Sequence, residues 1–177
     1  NNLSTNPSIG YIIGNEDFWK DTDYTEYLYT KEGDFLTSGG QHTVTYMEDD
    51  SLESGQYYLY MFDNNFGYSK TRKDYDWTVN EGIQTSILEG TTSYYYQYLV
   101  DENEGTYTLV KSFEVPFSAY VSSAQNLGDH IVVDSGIAGL LSIYDTDGNL
   151  EQQFSIKKND RFIYRIYYYD YKGYYFS

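Results

Sequence analysis

Only two histidines occur in the 177 residues of this chain, and one of them sits where chemistry could use it. His42 follows Gly39-Gly40-Gln41 at the start of a strand-like run. The glycines permit a close backbone approach and would expose the ring at a strand end. Asp63-Asn64 closes the run expected to pair with it, and Lys70-Thr71-Arg72-Lys73 supplies a basic cluster just beyond. A neutral imidazole can take up a proton or act on a reacting group. The planar fork of donors on Arg72 suits sulfate, phosphate or carboxylate. Lys70 would add positive potential, Asn64 could donate to the same oxyanion, and Asp63 could orient a neighbouring side chain. His42 and Arg72 are therefore the candidate catalytic residues, with Asn64, Asp63 and Lys70 as candidate substrate-binding residues. Asp-Asn at a strand end is also ordinary turn chemistry. His130, just after the Gly128-Asp129 turn, reads as a structural residue.

Other chemistries find little support. No Gly-x-Ser-x-Gly elbow surrounds Ser122, Ser123 or Ser135. The chain has no Cys, no His pair at ligand spacing, and no Walker or dinucleotide motif, so neither a metal nor a cofactor is expected. Asp145-Thr-Asp-Gly-Asn149 resembles part of a calcium loop, but the downstream acid is out of register and no helices flank it. It reads as a hairpin turn. A formal charge of −16 argues against nucleic acid, which needs clustered Lys and Arg, and against anionic membrane surfaces. No apolar run approaches the ~20 residues of a membrane span. An anionic small molecule stays admissible, because free charges are screened beyond ~8 Å at physiological salt. Acidity fits a secreted, cell-surface or periplasmic protein. The chain opens at Asn1 with neither Met nor a basic leader, so any targeting segment is expected to lie outside it.

The elements that must position these residues are strands. Twenty-four Tyr and nine Phe against two Pro suit pleated surfaces, and the expected class is all-β. Residues 42–115 and 121–156 share one plan of two strand-like runs followed by a hairpin with an acidic or glycine turn. The first unit runs through His42-Thr-Val-Thr-Tyr-Met47, Tyr57-Tyr-Leu-Tyr-Met-Phe-Asp-Asn64 and a hairpin from Tyr98. The second runs through Val121-Ser-Ser-Ala-Gln-Asn-Leu127, His130-Ile-Val-Val-Asp-Ser135 and a hairpin from Ile143. Four strands per repeated unit is the signature of propeller blades. Inner strand ends then carry His42, Asp63, Asn64, Asp134 and Ser135 toward one centre. Expected boundaries are a lead-in at 1–40, blades at 41–115 and 119–156, and the start of a further blade at 161–177. Within the lead-in, Tyr11-Ile-Ile reads as a short strand and 17–29 as a helical turn or two; 65–92 reads as a long, polar, functional loop. About two and a half blades fall short of the four to eight that close a propeller. The missing blades are expected from the same longer protein, and homo-oligomerisation stays open.

These landmarks resemble the bacterial aryl-sulfate sulfotransferases, a six-bladed propeller family. The resemblance rests on Gln41-His42-Thr43, Phe62-Asp63-Asn64-Asn65, Tyr98-Leu-Val-Asp101 and Val110-Lys-Ser-Phe113. It continues through Tyr120-Val-Ser-Ser-Ala-Gln125, Asp134-Ser-Gly-Ile-Ala-Gly139, Tyr144-Asp-Thr-Asp-Gly148 and Tyr164-Arg165. It implies transfer of a sulfuryl group from an aryl sulfate to a phenol, without a nucleotide donor, through a sulfated histidine. Aryl sulfates and phenols are then the small-molecule partners. By the same resemblance His42 matches the family's sulfate-contacting His, and Arg72 the Arg downstream of Asp-Asn. The Asp134-Ser-Gly segment lies near where well-studied members carry their nucleophilic His, and no His stands there in this chain. The alternative is a non-catalytic propeller that binds glycan or peptide through Tyr and Asp side chains.

Overall fold

A computed structural model describes residues 7–169. The described residues are all-β apart from one turn of helix and two short 3-10 turns. Strands β1 (Thr30–Glu32), β2 (Gln41–Met47), β3 (Gln56–Asp63), β4 (Thr92–Asp101) and β5 (Thr106–Pro116) form one sheet in the order β1-β5-β4-β3-β2. Strands β6 (Ser123–Asn126), β7 (His130–Ser135), β8 (Leu140–Asp145) and β9 (Leu150–Ser155) form a second, in sequence order. Within β2–β5 and within β6–β9 every neighbouring pair is antiparallel, so each set of four is a meander. The parallel strand β1 is added at the edge of the first.

Period-two alternation of large rings explains how the first sheet is buried on both faces. One face sends Tyr60, Phe62, Tyr95 and Val115 into a core with Ala124, Ile131, Val133 and Tyr144 of the second sheet. The other buries Tyr57, Met61, Tyr96, Tyr98, Val100 and Tyr107 beneath Tyr11, Ile13, Tyr29 and Phe35 of the lead-in. Strand β5 serves both cores because a bulge shifts its register between Gln97 and Tyr98 of β4. The extra residue is Val110, so Tyr107 and Leu109 face one core while Phe113 and Val115 face the other. Phe113 lies 4.9 Å from Tyr95 and 4.8 Å from Tyr144, which seats the two sheets on each other.

The lead-in is less regular than its sequence suggests. Ile12 makes only an isolated bridge to Leu28. The amphipathic stretch resolves into a helix α1 (Glu16–Trp19), N-capped by the Asn15 side chain, and a 3-10 turn (Thr25–Tyr27). Residues 64–91 form the expected long loop, with a 3-10 turn at Trp77–Val79 and a bridge between Phe66 and Gln84. Asp145–Asn149 is a hairpin turn: the Asp145 carboxylate accepts from the N–H groups of Asp147 and Asn149 and from the Asn149 amide. Residues 161–169 run beside β6 without strand ladder bonds, and the remainder of the hairpin expected there, 170–177, lies outside the described residues. Among the described residues no helix is long and apolar enough to cross a membrane.

Ile131 is fully buried where the sheets meet. Ile131→Ala is expected to lower the unfolding free energy by about 2–5 kcal/mol in urea titrations. A loss below about 1 kcal/mol would mean the two sheets do not share this core.

Candidate functional site

His42 reaches its position through a bulge. Its partner on β3 is Phe62, yet the next paired residue, Thr45, faces Tyr60, so β2 carries one extra residue between them. Thr43, with φ at 56°, lies inside that bulge. A β-branched residue with positive φ is a genuine outlier, and bulges re-aim side chains beside functional sites. Three other non-glycine residues with positive φ lie close by in the fold: Asn65 (50°), Val121 (59°) and Ser122 (90°).

The imidazole is held across the gap between the sheets. His42 Nδ1 lies 2.6 Å from the Ser122 carbonyl oxygen. A carbonyl only accepts, so Nδ1 carries the proton and Nε2 carries the lone pair. The Thr43 hydroxyl donates to the same carbonyl at 3.0 Å, and the Tyr164 ring meets the imidazole edge-on at 5.5 Å. Burial lowers the His42 pKa below 6.5; the bond to Ser122 opposes this and the charge of Arg165 reinforces it. The neutral ring is therefore the predominant form at pH 7.

The loop carrying Ser122 is itself clamped. Both amide protons of Asn64 are spent on it, reaching the carbonyls of Ser118 (2.5 Å) and Val121 (3.0 Å). The Ser122 hydroxyl donates to Ser118 Oγ at 2.8 Å and accepts from the Gly136 N–H at 3.0 Å. Ser118 Oγ accepts from the Ile137 N–H, and the Ser118 N–H donates to Ser93 Oγ. The Ser122 N–H donates to the Tyr164 carbonyl, which brings the 161–169 segment against the site. That approach needs glycine at 136, where a Cβ would stand 1.9 Å from the Ile163 carbonyl oxygen.

A cavity of about 650 Å³ opens beside the imidazole. His42, Asn64, Phe66, Tyr68, Tyr120 and Tyr164 contribute to its wall, and among the described residues no carboxylate lines it. The volume falls within the ~300–1,000 Å³ of small-molecule sites, and the wall is mostly apolar with a few polar groups, as such sites are.

The remaining sequence candidates occupy distinct places. Asp63, fully buried, accepts from the Ser38 hydroxyl and the Gly39 and Gly40 N–H groups. Burial raises its pKa against the pull of those donors. It holds the glycine turn that leads into His42. Arg72 does not line the cavity: its guanidinium rests 4.8 Å from the Phe18 ring centroid and 5.3 Å from that of Tyr75, and donates to the Phe18 carbonyl. Lys70 is exposed on the same loop. The guanidinium whose charge His42 feels is that of Arg165, 4.9 Å from the Tyr164 ring centroid. His130 pairs with Glu151 at the surface, 2.8 Å apart. Sequence reasoning gave Thr43, Ser118 and Tyr164 no role in the site. Thr43 and Tyr164 do fall within the motifs that carry the family resemblance, and Ser is unusually dense between 118 and 123.

The described residues contain no group of three or more His, Cys, Asp or Glu able to hold a metal ion. A family model described as arylsulfotransferase (ASST) matches residues 2–171. No curated protein matches the chain.

Asp134, in register with Ser123 of β6, is fully buried with neither carboxylate oxygen hydrogen-bonded. Burial pushes its pKa from 3.8 up to about 7. Below pH 3.8 the carboxyl is protonated in folded and unfolded chains alike and pH does not matter. Between there and about pH 7 the unfolded chain sheds the proton that the folded chain keeps, so stability falls as pH rises. The full effect is on the order of 4 kcal/mol. The stability of Asp134→Asn relative to the parent chain is expected to rise by a few kcal/mol between pH 4 and pH 8. A difference that stays constant with pH would contradict the buried, unpaired carboxyl.

Proposed function

The chain belongs to the arylsulfotransferase (ASST) family, and on that premise we propose that the cavity beside His42 is where a sulfuryl group passes from an aryl sulfate to a phenol. The observation that carries this reading is the Nδ1–H bond to the Ser122 carbonyl, which leaves Nε2 as the basic nitrogen of a neutral ring lining an aromatic cavity. In this reading His42 itself takes the nucleophile's part, in place of the histidine absent from the Asp134-Ser-Gly segment: Nε2 attacks sulfur, the bond from sulfur to the aryl oxygen breaks, and its electron pair leaves on the phenolate. The oxygen of an acceptor phenol then attacks the sulfated imidazole as the acceptor's proton passes to solvent, and the nitrogen–sulfur bond breaks to return the free ring. No nucleotide donor enters this cycle. The Ser122 carbonyl contributes by stabilising the positive ring that forms on sulfation, as a hydrogen-bond acceptor fixed in advance.

Aromatic walls suit the leaving and attacking rings, each stacking contact being worth about 0.5–1.5 kcal/mol. Neutralising the sulfate oxygens calls for cations. Arg165 is placed to act on His42 electrostatically, whereas Arg72 and Lys70 would take part once Arg72 leaves the faces of Phe18 and Tyr75. Asn64 and Asp63 serve the reaction by holding the walls. We further propose that the two meanders are neighbouring blades of a propeller, supported by their face-to-face core and by the 161–169 segment lying against β6.

In the full-length protein His42→Ala is expected to cut transfer from 4-nitrophenyl sulfate to phenol at least a hundredfold. The acid limb of kcat/KM should fall at a pH below 6.5, because the working form is the neutral ring and its pKa is lowered. Near-normal turnover in the variant would remove His42 from the mechanism. Binding of phenyl sulfate with no turnover by the parent protein would favour a non-catalytic binding module.

A further inference from the structure

Both tryptophans of the chain, Trp19 and Trp77, line one further cavity of about 320 Å³. Phe18 and Tyr68 complete its aromatic wall, and the loop residues Ser69 and Thr71 add hydroxyl-bearing side chains to its lining. The wall is a packed assembly rather than a chance gathering of rings. Phe18, 8% exposed, stacks on Trp77 at 5.2 Å and meets Trp19 edge-on at 5.1 Å, while Tyr75 closes on both Phe18 and Trp77 at 5.0 Å. Gly67 has no Cβ to disturb it; one would stand 2.5 Å from the Trp77 ring.

Gly40, Gln41 and Tyr68 line this annex and the His42 cavity alike, so the two spaces share a wall. Among the described residues neither acid nor base lines the annex, although the chain carries 27 Asp and Glu residues against 11 Lys and Arg. Charge does not select what enters; flat apolar faces with hydroxyls at one side do. We propose that the annex binds the second aromatic ring of an extended phenolic substrate whose reacting oxygen lies beside His42. This rests on the reading of the His42 cavity as the transfer site. It makes Trp19, Trp77 and Tyr68 determinants of specificity for two-ring over one-ring phenols.

Because no tryptophan lies elsewhere in the chain, tryptophan emission reports on the annex directly. Titration of the chain with 4-phenylphenol should quench that emission saturably, with a Kd at least tenfold below that of phenol measured by calorimetry. Thr71→Phe, at an exposed loop position facing the annex, should bring the two Kd values within about threefold. Equal affinities in the parent chain, or a tenfold preference that survives Thr71→Phe, would overturn the proposal. His42→Ala separates it from the transfer mechanism. That variant should keep the preference for 4-phenylphenol while turnover is lost; turnover retained beside an intact preference would sink the role of His42 and leave the annex standing.

Discussion

One hydrogen bond, from the Nδ1–H of His42 to the carbonyl of Ser122, joins the two sheets at the point where the site is built. Its donor sits on a strand that bulges at Thr43, and its acceptor on a residue with φ at 90°. Backbone strain of this kind costs about 1–3 kcal/mol per residue and persists only where surrounding structure over-determines it. Here the surroundings are the amide clamp of Asn64 on the Ser118 and Val121 carbonyls, the Ser118–Ser122 hydroxyl contact, and the shared aromatic core beneath. Without that clamp the carbonyl would have no fixed direction and the imidazole no fixed tautomer. Packing between the sheets is thus converted into a defined lone pair at Nε2.

The electrostatic setting follows from where the acids are kept. Many of them sit in turns, such as Asp49, Asp101 and Asp145, whose carboxylates accept from nearby N–H or side-chain groups that lower their pKa values. Asp63 is buried but surrounded by donors, and Asp134 is buried without them. Among the described residues the His42 cavity therefore has no carboxylate in its wall, despite a net charge of −16. An anion entering it meets aromatic faces, a neutral ring and a guanidinium close by, while distant negative charge is damped by salt.

Much of the fold could be read from residue pattern. Alternating rings in Tyr57-Tyr-Leu-Tyr-Met-Phe and Tyr94-Tyr-Tyr-Gln-Tyr, with turns at 101–105 and 145–149, mark strands whose two faces both need covering. The placement of His42 at the head of a strand paired with the Asp63 strand was legible for the same reason. What pattern could not convey was contact between segments far apart in sequence. Ser122 meets His42 across 80 residues, and Tyr164 arrives from the far end of the chain. The slot that holds Arg72 is formed by Phe18 of the lead-in and Tyr75 of the long loop, neither of which shows strand periodicity. A bulge is likewise silent in sequence unless glycine marks it, and Thr43 does not. The family resemblance reached the same residues by order of motifs, and the family match extends over 2–171.

The tautomer of His42 tests the account most directly. Long-range nitrogen–proton correlation spectra of the ¹⁵N-histidine-labelled chain at pH 7 should show His42 neutral, with its proton on Nδ1 and Nε2 bare. The imidazole's ordinary preference in water is for the other tautomer, so the result is not the default. A proton found on Nε2, or a charged ring at that pH, would contradict the bond to Ser122 and with it the site.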